Sequence, residues 1–212
     1  MERQYREKKR GMAVRNRRSV VFIAAEGRNR TERNYFHGLA ADHKGIALKF
    51  APGTDTDPEK LARGLARFMD ESGFSYKEGD AAYCLVDHDC NFKKDEQIQK
   101  ALAIARKKGF DLIVSNPCFE VWFICHFRMP GNYSSSSECI RDLEKYIAHY
   151  AKGDEDLYAR TRGNILKALE MAEQLEDLCR RRGHTLHRHD FSPSTEVYRI
   201  VKEMLKRGDS FC

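Results

Sequence analysis

The sequence predicts an α/β fold: a parallel sheet of about four strands flanked by helices, followed by a helical C-terminal portion. Two observations carry this. Short apolar runs alternate with segments of helical period from residue 19 to about residue 116, the strand–helix–strand order of a parallel sheet covered by helices. After Pro117 the strand signal nearly disappears while helical periodicity continues. The 41% apolar content of the 212 residues is enough for a core and excludes wholesale disorder. This organisation divides the chain into a basic flexible tail (1–18), an α/β core (19–128) and a helical extension packed on that core (129–212).

The first strand is residues 19–25 (SVVFIAA), a β-branched run between a charged tail and a Gly/Asn/Arg segment. From Thr31 the period lengthens to near four through Tyr35 and Leu39, which predicts a helix. Residues 46–51 alternate weakly as a second strand, ended by the turn-rich PGTDTDP. Leu61, Leu65, Phe68 and Met69 mark one face of a second helix. Ala81–Val86 is the third strand, stopped by Asp-His-Asp; 95–107 reads as a helix and Asp111–Ser115 as the fourth strand. Ser115-Asn116-Pro117 then leads into a helix with proline at its first position. Phe119–Phe127, Ser137–Ala148, Thr161–Arg182 and Ser194–Lys206 read as helices, with PGNYSSSS a flexible connection.

The charge is unevenly placed. Residues 1–18 hold eight Lys/Arg against Glu2 and Glu7, a surplus equal to the +6 of the whole chain. Such a block is attracted to polyanions by counterion release, and it also suits a solvated tail. Seven scattered cysteines without a CxxC pair read as reduced thiols in a cytoplasmic protein. No apolar run reaches bilayer-spanning length, and no apolar signal segment follows the basic start.

In open parallel sheets, ligands gather beyond the carboxyl ends of the strands. Glu26 directly follows the first strand, with Gly27 allowing a sharp turn; Asp87 and Asp89 follow the third. Residues two apart on a strand point the same way, so Asp87 and Asp89 are expected to face a common ion. Clustered carboxylates repel unless a cation neutralises them or one is protonated, and oxygen-only ligands favour Mg²⁺ or Mn²⁺. Singly, each acid also suits a turn or helix cap; the combination carries the metal reading.

The segments AAEGRNRTERNYF, CLVDHD, SNPCFEVWFICHF and FSPSTEVYRIV resemble the RloB-like family within the wider Toprim group, and the likeness touches nearly the whole chain beyond the tail. The resemblance implies a Toprim fold in which Glu26 holds metal or acts as general acid/base, with Asp87 and Asp89 completing the metal site. It implies nuclease chemistry on DNA or RNA, a link to phage defence, and an AAA-type ATPase partner. The motif's second glutamate is displaced: Glu32 falls six residues after Glu26 rather than five, so it is a metal-site candidate that equally suits the first turn of a helix. Glu120, inside an apolar helix, is costly unless paired or metal-bound; it is either a site residue beside the acidic edge or the partner of a buried arginine, and the resemblance favours the site.

The secondary candidates are more often structural. His126 reads as a satisfied structural histidine, and Cys179, His184, His187 and His189 as part of a basic loop rather than a zinc site. Lys152 and Arg162 suit phosphate contact or plain solvation. Arg28, Arg30 and Arg33 are placed to draw a phosphate backbone toward the acids. Tyr146, Tyr150, Tyr158, Tyr198 and Phe191 are either interface anchors or packing residues. The function expected is a metal-dependent nuclease; the alternative is a non-catalytic or regulatory subunit that binds an ATPase. Primase-type transfer lacks a Gly-rich phosphate cradle, and topoisomerase chemistry lacks an identifiable tyrosine. A homodimer is left open.

Overall fold

The computed structural model describes residues 18–28, 30–43 and 46–209. The basic tail, apart from Arg18, and Cys212 lie outside the described residues.

The first half alternates strand and helix: β1 (Val20–Ala25), α1 (Arg30–Asp42), β2 (Ala47–Phe50), α2 (Pro58–Glu71), β3 (Ala81–Asp87), α3 (Lys94–Lys108) and β4 (Asp111–Asn116). The second half holds α4 (Glu120–Cys125), α5 (Ser136–Leu143), α6 (Leu157–Thr161), α7 (Ile165–Arg181), the two-residue β5 (Ser194–Thr195) and α8 (Val197–Asp209). The sheet order is β2-β1-β3-β4-β5; the first four strands are parallel and β5 runs antiparallel to β4.

Both faces of the sheet are covered, which is why β1 is buried along its whole length. Val21, Ile23, Ala25, Tyr83, Leu85 and Ile113 face one way. They share a continuous apolar cluster with Phe36 of α1, Trp122 of α4, Leu143 of α5, Leu169 of α7 and Ile200 of α8. The alternate residues, such as Phe22, Cys84 and Val114, pack against Leu65 of α2 and Ile98 of α3 on the opposite face. The C-terminal helices thus complete, with α1, the cover of the sheet face opposite α2 and α3.

Four elements differ from the sequence reading. A fifth strand replaces the first turn of the helix expected from Ser194; Ser115 Oγ and Thr195 Oγ1 lie 2.9 Å apart across this pairing. The helix expected over Thr161–Arg182 starts only at Ile165: Thr161 closes α6, which was not expected, and a 3-10 turn at Arg162–Asn164 separates it from α7. That expected from Ser137 to Ala148 ends at Leu143. Pro117 is not a first helical residue: α4 begins at Glu120, and the Pro117 carbonyl accepts the Asp89 N–H at 2.8 Å. Of the aromatics offered as interface anchors, Tyr150, Tyr158 and Phe191 are buried, while exposed Tyr146 stacks on Phe127. Among the described residues no helix is long and apolar enough to cross a membrane.

Candidate functional site

Glu26, Glu32, Asp87, Asp89 and Glu120 line one cleft of ≈ 520 Å³ at the carboxyl ends of β1, β3 and β4. Each arrives by a different local device. Glu26 follows β1, and Gly27 takes a φ of 60° that turns the chain so its N–H reaches the Asp55 carbonyl at 3.0 Å. Asp87 is the last residue of β3. Asp89 does not reach the cleft by strand alternation, as expected from the sequence, because the strand has ended. Asp89 and Cys90 have φ values of 59° and 51°, a left-handed turn uncommon outside glycine. The turn is held by three bonds to the end of β4: His88 N–H to Ser115 O (2.8 Å), Asp89 N–H to Pro117 O (2.8 Å) and Cys90 N–H to Asn116 Oδ1 (3.0 Å). Glu32 projects from the first turn of α1 and Glu120 from the start of α4.

α1 begins at Arg30, and the hydroxyl of Thr31, in its first turn, accepts the Gly153 N–H at 2.9 Å. That bond draws the 150s loop over the cleft and brings in Lys152, whose Nζ lies 3.8 Å from Glu120 Oε1. Glu120 is 2% exposed. Its Oε1 accepts the Tyr150 hydroxyl at 2.6 Å, and its Oε2 is buried with no hydrogen-bond partner. Its partners are therefore a tyrosine and a lysine rather than the buried arginine considered from sequence.

So many acids in one recess cannot ionise freely. Burial, reinforced by Glu120, Glu26, Glu32 and Asp89, holds the Asp87 carboxyl well above its ordinary range. Burial pushes Glu26 up to about 7 against the pull of Lys94. Burial likewise raises Glu32 to about 7, with Glu120 and Glu26 adding to the effect. Glu26 Oε1 also accepts the Asp87 N–H at 3.1 Å, which fixes the two motifs against each other.

The cation already present is Lys94, the first residue of α3. Its Nζ donates to Asp87 O at 2.7 Å and Asp89 Oδ2 at 2.8 Å, and lies 3.3 Å from both Glu26 oxygens. Burial disfavours this ammonium, but the surrounding acids, Glu26 foremost, hold its pKa above the ordinary value. The all-oxygen donor set and the unpartnered Glu120 oxygen suit a hard divalent cation. As placed, however, no three His, Cys, Asp or Glu among the described residues form a ready-made ion cage. Lys94 and the pairing of Tyr150 with Glu120 were missed from sequence. The first had a signal: a lysine opening a helix runs against the helix dipole. The second, a contact across 30 residues, had none.

The secondary candidates separate from the cleft. His126 is fully buried, its Nδ1 3.0 Å from the Trp122 carbonyl, and burial lowers its pKa to about 4. His187 meets Glu196 and His189 meets Asp95, each at 2.9 Å, while the Cys179 thiol donates to the Pro193 carbonyl. These residues take different partners and share no centre. Arg162 pairs with Asp42 at 3.1 Å. Arg28 and Arg30 line the acidic cleft and continue with Arg33 into an adjoining groove of ≈ 480 Å³.

Fold and cleft together define a class: an α/β protein whose mostly parallel sheet carries a cleft of clustered carboxylates at its strand ends. Within it, the chain belongs to the RloB-like protein family, whose model matches residues 21–204 and so spans all five carboxylates. No curated protein and no solved structure matches the chain.

Proposed function

We propose that the chain is a Toprim-related, metal-dependent nuclease that cuts nucleic-acid phosphodiesters, acting in phage defence with an AAA-type ATPase. The observation that carries this reading is the convergence of five carboxylates on one cleft, where burial and the neighbouring acids hold the Asp87 carboxyl well above its ordinary range. Proteins bury such repulsion where function requires it. Glu26, Asp87 and Asp89 would hold Mg²⁺ or Mn²⁺, with Glu32 and Glu120 lining the same cleft. A bound ion would activate water and offset charge developing on the phosphate and leaving oxygen. Glu26, pushed to about 7, is suited to hold or release a proton at neutral pH. Lys152, Arg28 and Arg30 line the same cleft and favour the approach of a phosphate backbone. The basic tail would add to that attraction.

A second reading, a non-catalytic subunit that docks an ATPase, is favoured by one observation: Lys94 already neutralises the Glu26–Asp89 pole. Incubating the chain with Mg²⁺ or Mn²⁺ and mixed DNA and RNA substrates, alone and with the ATPase, separates the two. The nuclease reading expects cleavage abolished by EDTA and by Asp87→Ala. Cleavage that survives Asp87→Ala, or none under any condition, would refute it.

A further inference from the structure

We propose that Lys94 is a built-in counter-cation, whose ammonium holds the position among Glu26, Asp87 and Asp89 that a divalent ion takes, so that metal enters only as this side chain swings out. The inference rests on the metal-dependent reading of the same cleft and adds a competitor to it.

Three features argue for displacement rather than a fixed structural role. An ammonium has three donors, yet three carboxylate oxygens of Glu26 and Asp89 and the main-chain carbonyl of Asp87 lie within 3.3 Å of Nζ. This is an oxygen shell gathered round a cation, not a set of one-to-one bonds. Second, Lys94 opens α3, where the helix dipole disfavours positive charge and where Asp95 and Glu96 follow as the dipole prefers. The cluster, not the helix, accounts for a lysine here. Third, the charge ends a flexible four-carbon stem whose side chain still reaches solvent at 14% exposure, the side from which rotation would carry it out.

A divalent ion and an ammonium cannot share these oxygens. At such distances like charges repel strongly in a partly buried site, so occupancy by one excludes the other. The apo cluster is thereby stable without metal, and loading requires a concentration that overcomes the resident cation.

Calorimetric titration with Mn²⁺ at pH 8 of the full chain and of Lys94→Met tests this. Lys94→Met is expected to bind Mn²⁺ on the order of tenfold more tightly, since a competing charge is gone. Equal or weaker binding by the variant, with the wild type binding normally, would overturn the role of Lys94 and leave the metal reading standing. Failure of both proteins to bind Mn²⁺ would overturn both. A second measurement needs no variant: Mn²⁺ should increase acylation of the Lys94 amine in the wild-type protein, read by peptide mass spectrometry. Unchanged labelling of Lys94 at saturating Mn²⁺ would equally overturn the proposal.

Discussion

Replacing Glu120 by glutamine should make the metal-free protein more stable. Glu120 lies among Phe119, Val121 and Trp122, all buried, and one of its two oxygens is buried without a partner. It is also the neighbouring acid that most strongly raises Asp87. Lys152 offsets only part of this: its Nζ stands 3.8 Å from Glu120 Oε1, beyond hydrogen-bond reach, on a side chain that is 64% exposed. Glutamine keeps the volume and leaves an oxygen for the Tyr150 hydroxyl, weakening that bond by about 1 kcal/mol. It removes a buried charge whose effective desolvation cost is on the order of several kcal/mol. The net expectation is a gain of roughly 1–3 kcal/mol, equivalent to a rise in Tm of roughly 2–10 °C for a chain of this size. Thermal unfolding followed by circular dichroism, in EDTA and in Mn²⁺, measures both halves of the argument. Wild type should gain stability from Mn²⁺, and Glu120→Gln should start higher and gain less. A variant that melts lower in EDTA, with its Mn²⁺ response intact, would show that Glu120 is an anchor for Tyr150 and nothing more.

Two further outcomes follow from the site and its support. Glu26 and Glu32 are both raised to about 7, so the folded chain keeps protons that the unfolded chain gives up above the ordinary carboxylate range of 4.5. Their contribution to metal-free stability is present at low pH and is lost as pH rises toward 7. Metal requires the ionised forms, so Mn²⁺ affinity should climb steeply as pH rises through 7 and be accompanied by proton release in calorimetry; an affinity flat from roughly pH 5.5 to 8 would contradict this. Asp95→Ala should cost about 3 kcal/mol or more by urea denaturation, because the carboxylate accepts from His88 Nε2 (2.9 Å), His189 N–H (2.8 Å) and His189 Nδ1 (2.9 Å). A cost below about 1 kcal/mol would mean that the loop at 184–193 is held by other contacts.

The sheet was legible because its strands are buried on both faces, which leaves runs such as VVFIAA and AAYCLV with little to confuse them. The fifth strand was not, because two polar residues carry no period; its pairing is set by Ser115 and Asn116, remote in sequence. The short α6 was missed because five residues ahead of a 3-10 turn are too few to show a helical period. At the site, the residue types were readable and the geometry only partly so. Asp87 and Asp89 were picked for the pleat, yet a left-handed turn pinned by Asn116 places the second of them. Asp95 drew no notice at the start of the helix expected over 95–107, whereas it clamps His189, 94 residues away. Tertiary partners of this kind leave no local trace.

Anomalous diffraction from crystals soaked in Mn²⁺ tests the metal assignment most directly. The expected map has a peak coordinated by at least two of Glu26, Asp87 and Asp89, with the Lys94 side chain turned away from Asp87 O and Asp89 Oδ2. A cleft without an anomalous peak at saturating Mn²⁺, its oxygens still closed around Lys94, would contradict a metal-dependent function for this site.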